Sequence, residues 1–363
     1  MSLAIRQALR GRGMTSPNPI VGAVLVKHGV VIGKGYHRRA GLPHAEIEAF
    51  VDAEKRGQNL EGSTLYVTLE PCCHHDKKTP PCVDAIVEKK IKRVVVGSLD
   101  PNPKVSGRGI QMLREAGLSV SSGVLEERCR KINEEFFKFI TKGIPYVTLK
   151  LAATLDGKIA ASSGDSKWIG SELQRKLAHK LRGMADVVIV GVGTVISDNP
   201  RLNVRLARGS GKDPCPVVLD SKLRIPLDAE LFRLHPSPII ATTESAHPHK
   251  IDMLARRGAR VLTVDTDKRG RVSWGPLLHQ LGKMDIMSAL VEGGAEVAAS
   301  ALAAKAVDKI VWFFSPKILG GDGVSMVGAM GIETVRGAIG VGRVKYRVLG
   351  EEMMVEGCPI YGD

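Results

Sequence analysis

The sequence predicts an α/β protein of two domains, and three observations carry that reading. Short runs of β-branched and apolar residues alternate with helix-forming segments along nearly the whole chain. The length, 363 residues, exceeds one ordinary domain. Between two such strand–helix series, Gly143-Ile144-Pro145 interrupts the pattern and sets domains of 1–145 and 146–363.

In the first series a helix is expected over 4–12, followed by a turn at Thr15-Ser16-Pro17-Asn18-Pro19. Strands over 21–26 and 30–35 join through His28-Gly29 as a hairpin. Then come a helix over 43–56, a strand over 64–69, a helix over 81–90 with proline in its first turn, and a strand over 93–97. A helix over 109–116 stops at Gly117, and 119–124 is strand-like. Residues 126–142, with Phe136, Phe137 and Phe139, read as one amphipathic linker helix packed against a neighbour. The second series opens with a strand over 146–153 and continues with strands at 187–192, 217–220, 239–242, 261–264, 288–292 and 310–314. The tail over 344–356, broken at Gly350, is expected to close it as an antiparallel hairpin.

Composition narrows the function classes. Aromatic residues, at 4%, are too sparse for a base-stacking surface. The net charge of +14 divides into +8 over 1–144 and +6 over 145–363, and the basic residues are dispersed rather than clustered. That pattern suits small anionic ligands, or solubility alone, better than nucleic acid. No apolar run approaches the roughly 18 residues of a membrane span, and the first ten residues lack the features of a signal peptide. A cytoplasmic protein is expected, with no membrane partner. Three of the six cysteines (72, 73, 82, 129, 215 and 358) fall within eleven residues, which indicates one metal site rather than a disulfide framework.

The metal reading rests on Pro43-His44-Ala45-Glu46, Glu70-Pro71-Cys72-Cys73 and Pro80-Pro81-Cys82. One imidazole and two thiolates bind zinc and leave its fourth position to water. His44, Cys72 and Cys82 are the expected ligands, with Cys73 the rival to Cys72. Glu46, two residues past the histidine, can move protons between attacking water and a leaving amine, as in zinc deaminases. A purely architectural site would need a fourth protein ligand and no such glutamate.

The nine residues between Cys72 and Cys82 complete a specific pattern. Ser16-Pro17-Asn18-Pro19, His44-Ala45-Glu46, Thr68-Leu69-Glu70-Pro71-Cys72, Thr79-Pro80-Pro81-Cys82 and Asp100-Pro101-Asn102-Pro103 together resemble the RibD family of bifunctional riboflavin-biosynthesis deaminase/reductases. The resemblance spans essentially the whole chain. In that family the insertion is usually one residue shorter, with serine where this chain has Cys73. The resemblance implies a cytidine-deaminase-like α/β/α domain followed by a dihydrofolate-reductase-like α/β domain. It implies zinc and NADPH as cofactors and a phosphorylated pyrimidine as the small-molecule substrate. Asn18, His37, His74, Lys78 and Asn102 then hold the substrate's ring and ribose phosphate. Lys78 suits phosphate as a point charge, and the two asparagines suit the ring's donor and acceptor edges.

In the second domain, Lys150 inside an apolar strand asks for a partner or an anionic ligand, unless it snorkels to solvent. Val190-Gly191-Val192-Gly193-Thr194 and Val291-Glu292-Gly293-Gly294-Ala295 are strand-to-helix turns whose glycines would admit phosphate, although neither forms the full dinucleotide fingerprint. The resemblance implies NADPH contacts at Ala152, Trp168, Thr194, Asp198, Ser221 and the run Gly294, Ala295, Glu296, Val297, Ala298, Ala299 and Ser300. It implies substrate contacts at Lys150, Ser166, Arg182, Leu202, Arg205 and Glu292. A nucleic-acid deaminase, or a zinc-stabilised regulatory protein, would leave some 220 C-terminal residues or an intact Glu46 without a task. Oligomeric state stays open, a homo-oligomer included.

Overall fold

The computed structural model describes residues 1–74, 81–206 and 212–362, and the chain divides into two compact units, Met1–Gly143 and Ile144–Asp363. The first unit runs α1 (Ser2–Ala8), β1 (Gly22–Lys27), β2 (Val30–Tyr36), α2 (Ala45–Lys55), β3 (Thr64–Leu69), α3 (Cys82–Glu88), β4 (Arg93–Ser98), α4 (Arg108–Glu115), β5 (Ser119–Ser121), α5 (Glu126–Ile132) and α6 (Glu134–Lys142). Its sheet has the order β2-β1-β3-β4-β5, antiparallel at the β2 side and parallel from β3 to β5. His28 and Gly29, at φ +51° and +78°, make the tight turn between β1 and β2.

Helix α2 lies directly on β2 because two strand positions lack side chains. A Cβ on Gly35 would stand 2.3 Å from the Ala45 carbonyl oxygen, and one on Gly33 would stand 2.4 Å from that of Ala49. Ala45, Ala49, Phe50 and Ala53 then join Leu25, Leu65, Val67 and Ile86 in one core.

The structure replaces the single helix expected over 126–142 by α5 and α6, broken at Asn133. The cause is a long-range contact: the buried Asn133 amide donates to the Ile20 carbonyl and accepts from the Ile20 N–H, both at 2.9 Å. The first helix is likewise shorter than expected, with residues Leu9–Gly11 tightening into a 3-10 turn, and β5 ends at Ser121.

The second unit contains β6 (Tyr146–Thr154), β7 (Lys158–Ala160), α7 (Glu172–Arg182), β8 (Val187–Gly191), α8 (Val192–Asp198), β9 (Cys215–Leu219), α9 (Glu230–Leu234), β10 (Ile239–Thr242), α10 (Pro248–Arg256), β11 (Arg260–Thr263), α11 (Trp274–Gly282), β12 (Ser288–Val291), α12 (Ala295–Ala303), β13 (Lys309–Ser315), β14 (Val324–Ser325), β15 (Gly340–Leu349) and β16 (Glu352–Ile360). Nine strands form one sheet, β11-β10-β9-β8-β12-β6-β13-β16-β15. It is parallel as far as β13, and the closing hairpin adds two antiparallel strands. Both faces of the parallel part are covered: Val187 and Ile189 enter one core, Val188 and Val190 the other. Strands β7 and β14, absent from the sequence expectation, pair as a small separate ribbon.

Replacing Gly35 with alanine should push α2 off the sheet. A loss of about 1–3 kcal/mol is expected for the first unit, read by calorimetry as a lower first transition and accompanied by less bound metal. An unchanged transition would show that α2 can shift without cost.

Candidate active sites

Three elements bring the expected ligands of the first unit together. His44 is the N-cap of α2, Cys82 opens α3, and Cys72 follows β3. His44 Nδ1 lies 3.1 Å from Cys82 Sγ and 3.5 Å from Cys72 Sγ, and the Cys82 N–H points at Cys72 Sγ from 3.4 Å. Among the described residues these three form a group whose ligand atoms all lie within 4.8 Å of one another. A tetrahedral zinc with ordinary Zn–S and Zn–N bonds sets its ligand atoms about 3.6–3.8 Å apart. The donor set and spacing therefore fit zinc.

Cys73 turns the other way. Its sulfur faces the Lys104 carbonyl at 4.0 Å and packs in the first core, and burial beside Glu70 pushes its thiol up. The hydrogen bond from the Cys82 thiol, with help from His44, holds Cys72 well below the usual thiol range, while Cys82 is pushed up in exchange. Glu46, in the first turn of α2, is 3% exposed and lies beside Cys82. Burial pushes its carboxyl up, with His44 partly offsetting the shift.

Asn18 and His37 join this group. The Asn18 amide nitrogen lies 3.1 Å from His37 Nε2, His37 Nδ1 lies 3.1 Å from the Pro43 carbonyl, and the His37 ring packs edge-on to His44 at 5.4 Å. The Asn102 amide oxygen accepts from the Lys104 N–H at 3.0 Å, so it shapes its own turn. His74 is half-buried beside Cys73, and Lys78 lies outside the described residues. Glu70 was given no role by the sequence. It is 3% exposed, and its carboxylate accepts from the N–H groups of Asp100, Gly107 and Ile110 at 3.2, 2.9 and 3.2 Å, pinning the Asn102 loop to the end of β3.

In the second unit, Lys150 on β6, Arg182 at the end of α7, and Glu292 after β12 meet. Arg182 grips Glu292 through Nε and Nη2 at 3.0 and 2.5 Å, and its Nη1 donates to the Asn203 carbonyl at 3.2 Å. Burial pushes the Glu292 carboxyl up, yet Arg182 and Lys150 more than offset this and hold it below the usual range. Burial pushes the Lys150 amine down, and Arg182 adds to the effect. Arg205 is exposed, and among the described residues its guanidinium hydrogen-bonds only the Asn203 side chain, at 2.9 Å. Leu202 is 1% exposed and packs in a core, which leaves it almost no surface for a ligand.

The expected cofactor positions separate into groups. Ala152 lies on β6 and Thr194 and Asp198 on α8, while the Ser221 hydroxyl accepts from the Val272 N–H at 3.1 Å. Gly294 is the N-cap of α12 and offers no side-chain cap, so among the described residues the first N–H groups of the helix are open to an anion. A Cβ on Gly293 would meet Val297 at 2.5 Å. Ala295 and Glu296 belong to the first turn, whereas Ala298 and Ala299 face the core. The Ser300 hydroxyl accepts from the Trp274 indole at 3.0 Å. This open helix end beyond parallel strands fits a nucleotide diphosphate. Trp168, 66% exposed, stacks under Arg175 at 4.5 Å beside a cavity of about 470 Å³ that it shares with Ser171, Lys317 and Glu352. Ser166 lies two residues before it, half-buried.

Residues 1–98 match the family described as the cytidine and deoxycytidylate deaminase zinc-binding region, and 145–355 match the RibD C-terminal domain. Fold and site therefore define a zinc-binding deaminase domain joined to a reductase domain of the dihydrofolate-reductase type. The riboflavin biosynthesis protein RibD of Aquifex aeolicus is 44% identical over 98% of this chain and 96% of its own, and that of Escherichia coli 37% over 93% and 92%. A solved Thermotoga maritima diaminohydroxyphosphoribosylaminopyrimidine deaminase/5-amino-6-(5-phosphoribosylamino)uracil reductase superposes with a TM-score of 0.85 at 40% identity, covering 99% of this chain and 97% of that one. Acinetobacter baumannii RibD gives 0.87 at 33% identity, with coverage of 99% and 97%. The chain belongs to the RibD family and is a bifunctional deaminase/reductase of riboflavin biosynthesis.

The thiol geometry separates Cys72 from Cys73 by experiment. Purified protein should carry about one zinc per chain. Cys72→Ser should lose most of that metal and Cys73→Ser should keep it, as measured by elemental analysis. The reverse pattern would make Cys73 the ligand.

Proposed function

We propose that the first unit hydrolyses the 2-amino group of 2,5-diamino-6-ribosylamino-4(3H)-pyrimidinone 5′-phosphate, and that the second reduces the ribosyl group of the resulting 5-amino-6-(5-phosphoribosylamino)uracil to ribityl. The observation that carries this reading is the convergence of His44, Cys72 and Cys82 beside the buried Glu46. His44, Cys72 and Cys82 hold zinc, which when bound supplies the Lewis acidity that makes water a nucleophile near neutral pH. Glu46 takes a proton from the attacking water and delivers it to the ring nitrogen, then takes the second proton from the oxygen now bonded to the ring carbon and delivers it to the departing amine. Asn18 and His37, hydrogen-bonded to each other beside His44, orient the ring. Glu70 acts at a distance by fixing the Asn102 loop.

In the second unit NADPH, when bound, supplies the hydride for C1′. The open end of α12 carries its diphosphate and the end of β9, at Ser221, its nucleoside side. Lys150 and Glu292 face the sugar, and Arg205 takes the phosphate. Arg182, with three of its five N–H groups committed to Glu292 and Asn203, braces the site more than it binds. The boundary near residue 145 belongs to the same reading, as does a cytoplasmic location, which the six free thiols support. Among the described residues no helix is long and apolar enough to cross a membrane.

Glu46→Gln should keep its zinc and lose ammonia release by more than about 100-fold, while reduction of the already deaminated compound proceeds at the normal rate. Deaminase activity within tenfold of the parent would remove Glu46 from the mechanism. Arg205→Ala should raise KM of the reductase step by roughly 10- to 150-fold, equivalent to about 1.5–3 kcal/mol, the worth of a charged hydrogen bond, and leave ammonia release unchanged. An unaltered KM would place the phosphate elsewhere.

A further inference from the structure

The loop over 199–206 is held residue by residue. Asn199 and Leu202 adopt positive φ (+42° and +53°), a conformation that non-glycine residues keep only when their surroundings impose it. The His235 ring contacts the Arg201 carbonyl at 2.8 Å, Leu202 is buried, Arg182 holds the Asn203 carbonyl at 3.2 Å, and the Val204 N–H donates to Asp213 at 2.7 Å. The last anchor falls on Arg205 itself, whose N–H donates to His179 Nδ1 at 3.3 Å. His179 lies on α7, three residues before Arg182, so one helix face grips the loop at two points.

We infer that His179 is a positioning residue for the reductase step: by accepting the Arg205 N–H it fixes the direction from which the Arg205 guanidinium meets the substrate's phosphate. The inference rests on the proposed role of Arg205. To accept at Nδ1 the ring must be neutral with its proton on Nε2. Burial, and then Arg182 and Arg205, push this imidazole down to about 4, against the smaller pulls of Glu292 and of a hydrogen bond to the Asn203 backbone, so a neutral ring able to accept is favoured at neutral pH. Arg205 carries a long, exposed side chain that already bonds Asn203, so fixing its backbone further lowers the entropy lost on binding phosphate. His179 itself touches neither reacting carbon nor hydride in this role.

The test is steady-state reductase kinetics of the full-length protein on two substrates, the phosphoribosyl compound and its phosphate-free riboside. His179→Leu should raise KM for the phosphorylated substrate about tenfold, with kcat within about twofold, unchanged kcat/KM on the riboside, and unchanged NADPH affinity by fluorescence titration. His179→Asn, whose amide oxygen replaces Nδ1, should return KM to within about threefold of the parent. His179→Gln, whose oxygen sits one bond further out, should behave like the leucine variant. The two polar variants decide the matter even where leucine is poorly tolerated. Equal losses on both substrates, or an asparagine variant no better than glutamine, would overturn the inference. Arg205→Ala run in parallel separates the layers. If it is impaired on the phosphorylated substrate and His179→Leu is not, the positioning role falls alone. If Arg205→Ala is itself unimpaired, the phosphate reading falls with it.

Discussion

A carboxylate removed from water costs several kcal/mol unless charges or N–H groups replace its hydration. Both sites of this chain are arranged around that constraint. Glu70 is compensated by three backbone N–H groups, which makes it a fixed peg for the Asp100–Gly107 segment. Glu292 is compensated by a two-pronged Arg182 and by Lys150, and its carboxyl is held low. Glu46 is buried like the other two, yet burial outweighs the help it receives from His44, and its carboxyl is pushed up. A charge partner such as Glu292 works best permanently ionised. A proton carrier must gain and lose its proton near the working pH, and incomplete compensation is the physical route to that.

The second ordering constraint is strand direction. Parallel strands carry their loops to one edge, and in an open α/β sheet ligands bind beyond the carboxyl ends. In the first unit β3 leads into Glu70 and Cys72, and β4 leads into Asp100 and Asn102. In the second, β8, β9 and β12 lead into α8, Ser221 and Glu292. Lys150 is the exception, placed inside β6 with Thr148 and Ala152 on the same face. Its charge is felt at Glu292 because β12 is the hydrogen-bonded neighbour of β6.

What could be read from the sequence follows the range of the interaction concerned. The alternation of strands and helices is local, and so was the chemistry of His44-Ala45-Glu46 and the paired cysteine segments. The choice between Cys72 and Cys73 was narrower. Successive residues after β3 point opposite ways, and only the fold shows Cys72 on the His44 side and Cys73 in the core. The break at Asn133 could not be read at all, since its partner Ile20 is 113 residues away. His179 was invisible for the same reason. Nothing in the pattern of α7 announces an acceptor for a backbone N–H 26 residues later. Leu202 was a substrate contact by resemblance, and burial leaves it almost no surface. Lys78 lies outside the described residues and keeps only its sequence argument.

Charge counting joins these pieces in the reductase site. Lys150, Arg182 and Arg205 set three basic groups around the single carboxylate of Glu292. A phosphate monoester carries about −1.5 to −2 at neutral pH, the kind of ligand such a basic cluster suits under the proposed function. A charged His179 would lose the lone pair that accepts the Arg205 N–H. Burial first, and then the two guanidiniums, press the imidazole toward its neutral form and so preserve that acceptor. The dispersed surplus of +14 over the whole chain suits small anions, or solubility alone, and does not select among ligands. Selection falls to the few groups whose positions the loop anchors fix.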